Sequence, residues 1–293
     1  MLSYIGLGFI HALSYLPFSV LYLISDFFYL LIYRVFKYRI KVTRNNLKKA
    51  FPHLSDNEII GLEKKFYKHF CDLVVETVKS FSISEAVLKN RMRSTNIDLL
   101  NSYLKQGKSV LAITGHYGNW EWAAMSLALQ SSIPTYGLYM PLKNKVFNRS
   151  LINSRSRFGV RLVSVKEVSE KMTELMNTQC VWGFIVDQSP SKPEKAYWTT
   201  FLNQETGVSK GTERYARSNN MVVLFGKITK LKRGYYTLTY HPVCEQASTF
   251  SEGGISIAHT QFLEEIIKQE PAYWLWTHKR WKHKRPAELE LLP

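Results

Sequence analysis

A chain of 293 residues with 45% apolar side chains is long enough to bury the core of one ordinary-to-large domain. Its three cysteines, Cys71, Cys180 and Cys244, are far apart and form no CxxC pair, which argues against a disulfide framework or a zinc site and for a reduced compartment. Lys and Arg outnumber Asp and Glu by 39 to 23, a formal charge of +16 that draws the protein to anionic partners. Nucleic acid is the competing explanation, and against it the basic residues gather beside an apolar N-terminal stretch and at the C-terminus, with no zinc-finger spacing and no RNP-like motif.

Residues 1–33 carry one formal charge, Asp26, among Leu, Ile, Phe, Tyr and Val. A bilayer is crossed by about 20 apolar residues, so the stretch is long enough to span. Pro17 near its middle predicts a kink or two short helices, and Tyr4, Tyr15, Tyr22, Tyr29 and Tyr33 suit the head-group level, so a shallow, in-plane arrangement stays open beside a spanning one. A cleaved signal peptide fits poorly, because no basic residue precedes the apolar run. Residues 34–49 then supply Arg34, Lys37, Arg39, Lys41, Arg44, Lys48 and Lys49 with no acid before Asp56, which predicts a cytoplasmic flank. Residues 1–40 are therefore expected to form a membrane anchor with its basic flank, and residues 41–293 an α/β domain.

Residues 55–81 read as an amphipathic helix with Leu62, Phe66, Phe70, Leu73 and Val74 on its apolar side, and Ser55 with Glu58 as a capping box. Residues 108–114 are a short apolar run, a buried strand, ending at Thr114-Gly115-His116-Tyr117-Gly118-Asn119-Trp120-Glu121. Asn119 is placed to cap a helix over 120–130 that is apolar on more than one side. Further strands are expected at 135–139, 181–186, 221–228 and 235–240, with a hairpin across 230–234, and helices at 166–176, 210–218 and 257–269. Strands alternating with helices predict a mixed sheet flanked by helices. No GxGxxG or Walker loop is present, so no nucleotide cofactor is indicated.

The strand–turn–helix run puts His116 where the chain leaves the sheet and Glu121 in the first helical turn. An alcohol is a poor nucleophile near neutral pH; a neutral imidazole takes its proton as it attacks a carbonyl carbon, and a carboxylate fixes the ring's tautomer. No enzyme-borne Ser or Cys is needed, so the pair implies direct acyl transfer to an acceptor hydroxyl. Taken alone, His116 is equally a turn residue bonded to backbone.

Residues 115–121 resemble the HX4D/E block of the glycerolipid acyltransferase superfamily, and in this form the bacterial lipid A biosynthesis acyltransferases of the late lauroyl/myristoyl type. Tyr139-Met140-Pro141-Leu142-Lys143-Asn144 is similar to that family's Tyr-Arg-Pro-x-x-Asn segment, Arg155-Ser156-Arg157 to its Arg-x-Arg block, Asp187-Gln188 to its Asp-Gln block, and residues 274–281 to its terminal Trp-Leu-x-His-Arg-Arg signature. Met140 departs from the pattern, where many members carry Arg; Lys143, Lys145 and Arg149 are the nearby cations.

The resemblance implies transfer of a fatty acyl chain from an acyl carrier protein thioester, or acyl-coenzyme A, to a hydroxyl of a lipid A precursor. The expected setting is the bacterial inner membrane, with the catalytic domain facing the cytoplasm and neither metal nor cofactor required. It implies catalytic roles for His116 as base, Glu121 as its orienting acid, Arg155 as oxyanion or phosphate clamp, and Asp187 as support for an arginine or for His116. Gly118, Asn119, Tyr139, Asn144, Arg157 and Gln188 are the expected substrate-binding residues. The aromatic stretch Tyr273, Trp274, Trp276 and Trp281, with the basic residues after it, is expected at the head-group level. A lysophospholipid or amino-acid lysolipid acceptor is the alternative. A hydrolase lacks its G-x-S-x-G elbow here, and a non-catalytic lipid-binding scaffold predicts that His116→Ala is silent.

Overall fold

The computed structural model describes residues 2–293. From the N-terminus, α1 (Leu2–Ser14) and α2 (Phe18–Tyr29) meet at Pro17, and α2 runs into a π-helical stretch, Leu30–Val35. Then come α3 (Ile40–Ala50), α4 (Asp56–Lys79), α5 (Glu85–Arg91), β1 (Met92–Ser94) and α6 (Ile97–Lys105). The central part alternates β2 (Val110–Thr114), α7 (Trp120–Gln130), β3 (Thr135–Tyr139), α8 (Lys145–Ser156), β4 (Val160–Ser164), α9 (Val168–Glu174) and β5 (Val181–Ile185). A hairpin of β6 (Ala196–Phe201) and β7 (Gln204–Ser209) follows, then α10 (Gly211–Ser218), β8 (Val222–Lys232), β9 (Tyr235–Cys244), α11 (Gly254–Gln269) and β10 (Leu291–Leu292).

Seven strands form one mixed sheet in the order β1-β9-β8-β2-β5-β3-β4. β8, β2, β5, β3 and β4 are mutually parallel, and β9 with its parallel neighbour β1 runs against them. β10, β6 and β7 make a small second sheet. Helices flank the large sheet, so the mixed α/β fold expected from the alternation is the one that forms. In β2, Val110, Leu111, Ala112 and Ile113 are all buried, as an unbroken apolar run requires in a parallel strand covered on both faces. The expected hairpin is β8–β9, turned at Gly234 with φ +74°.

Elements that escaped the periodicity reading have little apolar signal of their own. β4 is a five-residue edge strand broken by Arg161, β7 is largely polar, and β6 interrupts its aromatic residues with Thr199 and Thr200. The basic segment after the apolar stretch is itself helical in α3, where Thr43, Asn46, Leu47 and Ala50 are buried.

The capping box at Ser55 and Glu58 is present, but α4 does not have one apolar side. Glu63, Asp72 and Glu76 are buried along it because other elements cover both flanks. From α2 and the π-helical stretch, Leu21, Ser25, Tyr29 and Tyr33 face inward at four-residue spacing, the spacing of one helix face. Ser25 Oγ donates to Asp72 Oδ1 at 2.8 Å and Tyr33 OH to Glu63 Oε1 at 2.8 Å, while Arg233 of the hairpin bridges Asp26 and Asp72. The outer face carries Leu23, Phe27, Leu30 and Val35, all exposed. The run Phe18–Val35 is long and apolar enough to cross a membrane.

Candidate active site

His116 and Asp187 are 71 residues apart, the same separation as every Cα pair in the parallel β2–β5 register from Val110↔Val181 to Thr114↔Ile185. Continuing both strands by two residues therefore sets them side by side. The chain leaving β2 goes to β3 on one side, and the chain leaving β5 goes to β8 on the other, so the two residues sit at a topological switch point. Open α/β sheets bind ligands at the carboxyl ends of strands in such places. Gly115 makes the approach possible: a Cβ there would stand 2.8 Å from Leu263 Cδ1 and 3.3 Å from Asp187 Oδ2.

Asp187 is buried and takes three donors. Its Oδ1 lies 2.6 Å from His116 Nδ1, and its Oδ2 accepts the His116 backbone N–H at 2.9 Å and Trp274 Nε1–H at 2.7 Å. Burial pushes the carboxyl's pKa up, but the facing imidazolium and these hydrogen bonds win and hold it down at about 2. For His116, burial pushes down, yet the charge and hydrogen bond of Asp187, with help from Glu121, raise it above the ordinary histidine value. With a carboxylate on Nδ1, that nitrogen carries the proton and Nε2 presents its lone pair, 3.1 Å from Gln188 Nε2. Trp120 packs edge-on against the ring at 5.1 Å.

The carboxylate that orients His116 in this structure is thus Asp187, which corrects the expectation for Glu121. Glu121 is turned to Arg155 of α8, whose Nε donates to Oε2 at 2.7 Å and whose Nη2 donates to Oε1. This bidentate pair sits at the cavity rim, with Nη1 left over. Sequence proximity favoured Glu121, but its place in α7 aims it at α8, not at the imidazole.

Of the expected substrate-binding residues, Tyr139 and Gln188 line the cavity beside His116. The others hold the scaffold. Asn119 caps α7 by accepting Trp122 N–H at 2.9 Å and donates to Glu76 Oε2 at 2.7 Å, fully buried. Asn144 caps α8 through the Val146 and Phe147 N–H groups, and Arg157 Nη1 donates to Ser80 O at 3.0 Å. Gly118 has φ +59°, and an added Cβ would meet Ile228 Cγ2 at 2.6 Å. Gly118→Ala is therefore expected to destabilise the fold by about 1–3 kcal/mol through left-handed strain and overpacking; a thermal melt unchanged from wild type would refute it.

The C-terminal aromatics do not share one surface: Tyr273 and Trp281 are only partly buried. Trp274 and Trp276 are buried, and the segment pairs with the histidine loop: Gly118 N–H donates to Tyr273 O at 3.0 Å and Leu275 N–H to His116 O at 3.1 Å. Trp274 is the member of this site that sequence reasoning placed elsewhere. A Trp-rich run looks the same whether its indoles meet head groups or a buried carboxylate; only the acceptor's position distinguishes them.

From His116 an apolar cavity of about 380 Å³ runs between the sheet and helices α7 and α8. Its floor is a row without bulky side chains: Ala112 pairs with Gly183 across β2–β5, and Gly183 with Gly137 across β5–β3. Met125, Leu127, Leu151 and Leu162 contribute to its walls, and Met140 and Leu142 stand exposed beside it. The volume is that of a small-molecule site, about 300–1,000 Å³.

A histidine–carboxylate pair opening on a mostly apolar cavity, with a guanidinium beside it, is suited to an enzyme that handles an acyl chain. Comparison with known proteins narrows this: the sequence model of the bacterial lipid A biosynthesis acyltransferases matches residues 1–283, and the chain belongs to that family. It is 20% identical over 283 residues to the lipid A biosynthesis lauroyltransferase of Escherichia coli (strain K12), covering 96% of this chain and 91% of the relative. To the lipid A biosynthesis palmitoleoyltransferase of the same strain it is 22% identical over 294 residues, covering 99% and 94%. A lipid A biosynthesis acyltransferase of Haemophilus influenzae is 21% identical over 252 residues, covering 85% and 79%. The protein is an acyltransferase of lipid A biosynthesis.

Proposed function

We propose that the chain moves a fatty acyl group from an acyl carrier protein thioester onto a hydroxyl of a lipid A precursor at the cytoplasmic face of the inner membrane. The observation that carries this reading is the His116–Asp187 pair opening into the Ala112–Gly183–Gly137 cavity, which has room for an acyl chain and a mostly apolar lining, with polar groups such as Glu121, Arg155 and Gln188 beside His116. The acceptor hydroxyl displaces Gln188 from His116 Nε2 and gives up its proton there as its oxygen attacks the thioester carbonyl carbon. Arg155, steadied by Glu121, stabilises the oxyanion through Nη1. Collapse of the tetrahedral intermediate breaks the C–S bond, and the imidazolium returns its proton to the leaving thiolate.

Membrane placement is supported by the exposed apolar face of α2, the basic flank behind it, and the exposed Met140 and Leu142 beside the cavity. α1 links these regions, since His11 reaches Ser150 of α8 at 3.4 Å. The test is an acyl-transfer assay offering acyl carrier protein and coenzyme A thioesters in turn against a lipid A precursor and a lysophospholipid. Transfer only to the lysophospholipid would sink the acceptor assignment.

The cavity floor also sets chain length. A Cβ on Gly183 meets Leu127 Cδ2 at 3.6 Å, an ordinary contact, so small side chains fit there. Gly183→Ala is expected to fold and to shift preference toward shorter acyl donors in a competition assay with mixed chain lengths. An unchanged preference would show that the chain does not pass Gly183.

A further inference from the structure

A second cleft, of about 320 Å³, opens between α3 and the chain after the Trp274–Trp276 segment. Lys41, Asn45 and Lys49 recur at four-residue spacing along one face of α3, opposite Lys279 and Lys282, with Gln204 of β7 between the walls. The walls are fastened together. Asn46 Nδ2 donates to Trp276 O and His278 O at 3.0 Å each, and Arg39 Nη1 donates to Thr277 O at 3.1 Å. The backbones that carry the lysines are therefore held around the cleft.

Among the described residues none of these four lysines is in an ion pair, and no carboxylate lines the cleft. Their neighbours do find acids: Lys48 pairs with Asp56 and Arg285 with Glu205. Gln204 Nε2 is buried at the same place without an acceptor. Four ammonium groups around one concavity repel one another, and a charge-dense anion turns that repulsion into attraction. The concavity admits a phosphate-sized group and is too small for an acidic helix of a partner protein, whose diameter is about 10–12 Å with side chains.

We infer that this cleft binds the phosphate of a membrane-lipid headgroup. Two features place it beside lipid. α3 follows directly on the exposed apolar stretch that ends at Phe36, and His278, next to Lys279, accepts the Ser189 N–H at 3.3 Å, two residues past Asp187. The cleft is thus tied both to the apolar face and to the catalytic end of the sheet. The phosphate belongs to the acceptor lipid or to a bulk anionic phospholipid; the first source rests on the function proposed above.

The test uses the full chain in neutral detergent, titrated calorimetrically with inorganic pyrophosphate at fixed ionic strength. Lys49→Gln/Lys282→Gln is expected to weaken binding by at least about tenfold, the loss of a charged hydrogen bond, and Lys49→Arg/Lys282→Arg to restore it. Equal affinity in wild type and the Gln pair overturns the site. A KM raised only for the phosphorylated acceptor, against its dephosphorylated form, assigns the acceptor's phosphate. Lost flotation with phosphatidic acid-containing phosphatidylcholine vesicles, with acceptor KM unchanged, assigns bulk lipid. Wild-type protein that binds pyrophosphate through these lysines but acylates no lipid A precursor keeps the site and defeats the proposed acceptor.

Discussion

His116→Ala is expected to lower kcat on the order of 10⁴-fold, the upper range for loss of a general base, or about 5 kcal/mol of transition-state stabilisation. The fold should survive. Asp187 Oδ2 keeps the residue-116 backbone N–H and the Trp274 indole N–H, so the buried carboxylate retains two of its three donors. Only Oδ1 loses its partner, and the vacated ring volume, next to the cavity, admits water. Single-turnover acyl transfer, read beside circular dichroism and a thermal melt, separates the two effects. A folded variant within tenfold of wild type would end the assignment of His116 as base.

Asp187→Asn is expected to cost on the order of 10²–10⁴ in kcat/KM by a different route. The amide oxygen still accepts from Trp274 and from the His116 backbone, so its NH2 group is turned to Nδ1. Nδ1 must then become the acceptor and Nε2 carry the proton, which is the wrong tautomer for a base. The pH dependence gives an independent reading. In the wild type His116 titrates above the ordinary histidine value, and because the neutral form is the base, kcat/KM should climb with pH and level off above that raised pKa. Removing the carboxylate leaves burial as the dominant influence, so the limb should move to lower pH in the variant even as the plateau falls. A limb that stays in place would mean that another group controls the ascending arm. Glu121→Gln should move it less, since Glu121 acts on the ring through charge and makes no hydrogen bond to it.

The site was legible in the sequence to unequal depth. His116 stood out because a glycine-flanked histidine after an apolar strand is a local pattern, and the Asn119 cap and the α7 boundaries followed from residues within a few positions. Glu121 stands out for the same reason, but its neighbour in the fold is Arg155 rather than the imidazole. Asp187 was visible as a motif after a strand, but its partner depended on β5 lying beside β2, which no window of sequence contains. The cavity floor was hidden altogether: Ala112, Gly183 and Gly137 are small residues in three separate strands and form a row only through inter-strand register.

What the sequence by itself determined is what short-range physics controls. Alternating apolar runs and amphipathic periods specified a mixed α/β sheet, the Ser55–Glu58 box started α4, and a nearly uncharged N-terminal stretch, with its basic flank, marked an apolar surface. Tertiary structure alone decided which carboxylate holds His116, that Trp274 is a buried donor to it, and that α4 buries Glu63, Asp72 and Glu76 against partners from both ends of the chain. Caps and periods are settled among residues a turn or a strand apart. Partnerships such as His116–Asp187 depend on register between elements some seventy residues apart, and that register is chosen by packing of the whole sheet.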